Sequence, residues 1–151
     1  VNYKPVFLGR VFAETGGLPL AQRHPARQRY RLIELQRWRE KRGLDFAIEP
    51  AHWPFDPTTL DRFVIAAVHA GADPDPFLRR IYDAIWRRER DLSDEGEILR
   101  EAAACGLDAA ALLARARDTQ TEVIYALNLE NAVAADVFGS PAYVLDGEVF
   151  W

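Results

Sequence analysis

The sequence has 151 residues, enough for one domain or for a small domain carrying an insertion. Its apolar share of 49% and charged share of 28% exclude a disordered chain, and a net charge of −4 offers no global attraction to nucleic acid or an anionic membrane. No apolar run approaches the roughly 18 residues of a membrane span, no basic and apolar leader is visible, and the single cysteine, Cys105, excludes an internal disulfide or a CxxC centre within these residues; a reducing, cytoplasmic setting is the expectation.

Val1 to Leu8 alternates loosely and stops at Gly9, which predicts a strand, with Pro5 at an edge or an end of it. Gly16, Gly17, Pro19 and Pro25 predict a loop over residues 13–25. A long helix is expected from Pro25 to Arg42, with proline in its first turn and Gly43 as its stop. Its apolar stripe is Tyr30, Leu32 or Ile33, Leu35 and Trp38. Leu44 to Ile48 reads as a short extended piece. The run from Pro50 to Pro57 is irregular, because its three prolines remove donors and disfavour helix in the residues before them.

Asp56 is expected to cap a helix with Pro57 in its first turn. Leu60, Phe63, Val64, Ala67 and Val68 face inward and Gly71 ends it. Asp73 to Pro76 opens the next helix, which carries Phe77, Ile81, Ile85 and Trp86. Asp94 with Glu97 resembles a capping box for a helix ending at Cys105 and Gly106, and Asp108 opens a short one. Thr119 with Glu122 repeats the pattern for a helix to about Asp136. The tail then changes period: Ala142 to Leu145, Asp146-Gly147, and Glu148 to Trp151 form a hairpin signature, because Asp-Gly supplies the positive φ angles of a two-residue turn. Strands at both ends with helices between predict an α/β domain interrupted by an all-helical insertion.

Most informative for chemistry is Val137-Phe138-Gly139-Ser140-Pro141-Ala142-Tyr143. A helix end is followed at once by a proline opening a strand. A cis peptide there would turn the backbone N–H and C=O of Ser140 outward, where they pair with an extended peptide; a trans proline that merely ends the helix is the plainer alternative. His24, His52 and His69 lack metal-ligand spacing, so no metal site is expected. Cys105, among alanines, reads as a small buried residue. Arg23 to Arg42 carries eight Arg and Lys against Glu34 and Glu40, which reads as a solvated face and not as a nucleic-acid surface.

Several segments together resemble the branch of the DsbA-like superfamily that holds 2-hydroxychromene-2-carboxylate isomerases and kappa-class glutathione transferases. They are Tyr3 to Gly9, Ala13-Glu14-Thr15-Gly16, Leu35-Gln36-Arg37-Trp38, Trp53-Pro54-Phe55-Asp56, and Val137 to Pro141 with its hairpin. The resemblance implies a thioredoxin-like domain (residues 1–20 and 119–151) split by a helical insertion (21–118), glutathione as cofactor, a small aromatic substrate and a homodimer. It also implies a strand–helix unit ahead of Val1, carrying the catalytic residue, and a helix beyond Trp151. The sequence opens without Met in one strand-like run and stops inside another, which agrees.

By the same resemblance Ser140 and Pro141 receive the glutathione backbone. Arg27 stands where a lysine often lies and keeps its charge for a carboxylate. Gly17 stands where relatives carry an asparagine, which removes a side-chain contact, and Asp56 stands where an asparagine is common. Trp53, Phe55 and Trp86 are the candidates to line an aromatic substrate pocket; aromatics at helical spacing are more often core. The implied activity is glutathione-dependent isomerisation about a carbon–carbon double bond. Its alternatives are a DsbA-like thiol–disulfide oxidoreductase and a non-catalytic thioredoxin-like binding module.

Overall fold

Prolines and short acidic side chains set most of the helix starts. The computed structural model describes all 151 residues. Its elements are α1 (Leu8–Thr15), a 3-10 turn (Leu20–Gln22), α2 (Pro25–Arg42), α3 (Thr58–His69), α4 (Asp75–Trp86), α5 (Glu95–Ala103), α6 (Ala109–Ala116), α7 (Thr119–Ala134), β1 (Tyr143–Leu145) and β2 (Glu148–Phe150). Asp94 and Asp108 accept the free amides of Gly96 and Ala111 at 2.8 and 3.1 Å, satisfying orphan donors of the first turn. His24 does the same for α2, its Nδ1 accepting from Ala26 at 3.2 Å.

The core is a cluster of fifteen buried residues on α3 to α6 and the turn before α5, with Phe63 and Phe77 tilted at 5.1 Å between ring centroids at its centre. α3 packs on α6 and α7, α5 on α4 and α6, and α1 on α7. One charge is taken into this core region. Glu101, 1% exposed, accepts from Arg80 at 2.8 Å and Arg88 at 2.7 Å, which hold its carboxyl below the usual range. β1 and β2 pair antiparallel, Val144 opposite Val149, across the turn Asp146-Gly147 with φ of 50° and 84°. Both residues take the left-handed conformation that such a turn demands.

Three expectations need correction. Residues 1–7 are not a strand: they are extended and unpaired, and α1 begins at Leu8, so part of the expected loop over 13–25 is helix. A strand exists only when a neighbour fills its ladder, and this segment has none among the described residues. Leu44 to Ile48 is extended without pairing as a strand, and it is tied down by Ala47 N–H donating to the Trp86 carbonyl at 2.6 Å. The stripe on α2 faces solvent, with Tyr30, Ile33 and Trp38 47–51% exposed and no residue of the helix buried. The side chains at two expected caps also act differently. Glu97 pairs with Arg100 at 2.5 Å instead of closing a capping box, and α7 starts without a side-chain cap.

Candidate functional site

The loop after α7 reaches β1 through Val137, which is buried, Gly139, which is buried, and Ser140 and Pro141, which are exposed. The Ser140–Pro141 peptide is cis, and so is Trp53–Pro54, which the sequence did not mark. No residue of the chain hydrogen-bonds to the backbone N–H or C=O of Ser140. Both groups are therefore free for an outside partner. Trp151 lies against this loop: its ring stands 5.3 Å from that of Phe138, and a Cβ on Gly139 would meet Trp151 Nε1 at 2.6 Å. Only glycine at 139 lets the indole settle there.

The aromatic candidates come together. Trp53 lies 5.2 Å from Trp86 and 5.7 Å from Phe55, ring centre to ring centre, and Phe46 meets Trp86 edge-on at 6.4 Å. Ala51 N–H donates to Glu89 at 3.0 Å, and with the Ala47 bond this pins the proline-rich loop over the end of α4. Phe55 and Trp86 pack on the core, whereas Trp53 is 42% exposed. The group is thus a half-open aromatic wall on the helical core. Gly17 sits beside the Phe12 ring, whose Cγ lies 2.9 Å from where a Cβ would stand, so the ring fills the space that a side chain at 17 would need. Arg27 is exposed on the first turn of α2 and meets none of the other candidates.

A pair that the sequence did not flag lies where α3 packs on α7. Tyr125 Oη donates to Asp61 Oδ2 at 2.6 Å. Burial raises the Asp61 carboxyl to about 6, against the lowering effect of Tyr125 and with a smaller push from Asp56. The Tyr125 phenol is pushed well up by burial and by the Asp61 charge. Tyr82 is also held up, first by burial at its hydroxyl and then by the charges of Asp61 and Tyr143, although 60% of the residue is open to solvent. Asp61 and Tyr125 stand 64 residues apart in sequence, a separation at which no motif spacing could have paired them.

The fold and loop define the class: a thioredoxin-type domain with a helical insertion, the proline loop leading into its hairpin. The chain belongs to the DsbA-like thioredoxin domain family, whose model matches residues 1–151. Among solved structures it is similar to that of a 2-hydroxychromene-2-carboxylate isomerase, with a TM-score of 0.79 and 21% identity over 99% of this chain and 72% of that one. A search of curated proteins finds no match. No group of His, Cys, Asp and Glu is placed to hold a metal ion, and no helix is long and apolar enough to cross a membrane.

Proposed function

We infer that the chain is part of a glutathione-dependent isomerase acting on 2-hydroxychromene-2-carboxylate or a related intermediate of aromatic breakdown. The observation that carries this reading is the free backbone of Ser140, exposed at the mouth of the β1–β2 hairpin in a DsbA-like thioredoxin domain. An extended peptide pairs with such groups as a strand would, and the backbone of glutathione is peptide-like. Glutathione, when bound, supplies a thiolate able to add reversibly to a conjugated double bond.

The chain's own residues would do the rest. Ser140 would hold the cysteinyl backbone and Arg27 a carboxylate, while Trp53, Phe55 and Trp86 would offer a flat substrate an apolar wall that excludes water. Gly17 would contribute no side-chain contact, since Phe12 occupies that space. A homodimer in the cytoplasm belongs to the same reading. Cys105 does not favour the oxidoreductase alternative: it lies at the end of α5, partly covered, and burial raises its thiol, so little thiolate is present for exchange.

Titration calorimetry of the protein with glutathione, followed by turnover of 2-hydroxychromene-2-carboxylate with and without it, tests the reading. Saturable heat at or below millimolar glutathione and glutathione-dependent turnover are the expected results. No heat at that concentration overturns it.

A further inference from the structure

Where the extended segment of residues 2–4 crosses the seam of α3 and α7, it encloses a cavity of about 110 Å³. Lys4 from the segment, Ile65 and His69 from α3, and Ile124 and Asn128 from α7 line it, and no acidic residue does. Asn128 is only 7% exposed. Its Nδ2 donates to the Pro5 carbonyl at 3.1 Å, which anchors the segment on α7. Its Oδ1 takes no hydrogen bond from the chain, and it is not sealed in protein; it opens into the cavity that the residue lines. An amide oxygen withdrawn from bulk water and left bare is costly, so this one needs a donor from the cavity's contents. Lys4 and His69 are exposed and form no ion pair within the chain. A second cavity of about 240 Å³ shares His69 and Ile124 as walls and extends to Arg115 and Asp118 by the start of α7.

The first cavity thus sets an unpaired ammonium beside a buried acceptor. A bare anion suits the Lys4 ammonium and is repelled by Asn128 Oδ1. A molecule that carries a negative charge and a neighbouring O–H satisfies both. Size narrows the class further: the cavity is smaller than the roughly 150 Å³ that admits a benzene ring, so it takes a compact polar head and no aromatic ring. We propose that it binds the head of a short 2-hydroxy acid, the carboxylate facing Lys4 and His69 and the hydroxyl donating to Asn128 Oδ1. The second cavity takes what the acid carries beyond its second carbon. Arg115 and Asp118 there oppose each other in sign, so a second carboxylate gains no net attraction. None of these residues belongs to the aromatic wall or the proline loop, so the site stands independently of the isomerase reading. Its plain alternative is a cavity that holds only water.

The experiment takes lactate as probe, with propionate, which lacks only the hydroxyl, and inorganic phosphate for comparison. Nitrogen-labelled asparagine gives three side-chain amides to follow by NMR, those of Asn2, Asn128 and Asn131. The Asn128 amide should shift saturably with a Kd of about 10 mM or tighter, while Asn131, exposed on α7, stays still. Propionate should bind about fivefold or more weakly, because it leaves Oδ1 bare. Lys4→Gln and His69→Leu change exposed side chains, and each should weaken lactate binding about threefold or more with the circular dichroism unchanged. A flat Asn128 signal up to about 50 mM lactate means that the cavity holds only water and overturns the proposal. Equal affinity for propionate, tighter binding of phosphate, or full lactate affinity in Lys4→Gln overturns it as well.

Discussion

The helical core and the long helix α2 are built from similar residues to opposite ends. In α3 and α4, apolar side chains recur at helical spacing and ten residues are buried. In α2, Tyr30, Ile33 and Trp38 recur at comparable spacing and none is buried; Lys41 and Arg42 instead lie over the Trp38 ring, each 5.2 Å from its centre. Periodicity therefore tells which face of a helix is apolar, while burial depends on whether another element arrives to cover it. Around α3 two helices arrive, α6 and α7. Around α2 its stem-like Arg and Lys side chains do part of the covering.

The contrast is sharpest in stability. Phe63→Ala removes a ring with no exposed surface from the centre of the core, and should cost about 3–5 kcal/mol in denaturant-induced unfolding. Glu101→Gln keeps the shape but strips the charge that Arg80 and Arg88 share, and should cost about 3 kcal/mol or somewhat less, since both arginines reach solvent. The pH dependence of the wild type separates two carboxyls. Glu101 is held below its ordinary value, so its contribution is present above pH 4.5 and lost as pH falls below it. Asp61 behaves oppositely. Raised from 3.8 to about 6, its contribution is full at low pH and is lost as pH rises between those values.

Replacing it, Asp61→Asn should flatten the stability profile across that window by at most about 2–3 kcal/mol, read by thermal unfolding in buffers of stepped pH. Trp38→Ala should cost under about 1 kcal/mol, the scale of an exposed cation–π contact. A cost for Trp38→Ala as large as that for Phe63→Ala would mean that α2 is covered in solution and would break the comparison.

Local chemistry is what the sequence made legible. Pro25, Gly43, Asp94, Asp108 and the Asp146-Gly147 turn each act through neighbours a few residues away, and each stands where expected. Residues 1–7 read as a strand because alternation is a property of the segment, whereas pairing is a property of a distant partner. For the candidate site the same division holds. Trp53, Phe55 and Trp86 are candidates by resemblance, and their rings do meet, helped by backbone bonds between the 44–51 segment and the end of α4. Asp61 escaped notice because an aspartate on the first turn of a helix has an ordinary local explanation, its negative charge suiting the positive end of the helix. Only tertiary contact reveals the phenol across from it. Gly17 was readable as a departure, but not the reason it is tolerated, which is the Phe12 ring lying in the vacated space.

The indole resting on Gly139 has an optical consequence. Of the four tryptophans, Trp151 alone leans on the backbone that precedes Ser140, so its emission should respond when a peptide-like ligand docks there. A protein retaining Trp151 alone, with Trp38, Trp53 and Trp86 changed to phenylalanine, would carry its own fluorescent gauge of occupancy at the proline loop, with no attached dye.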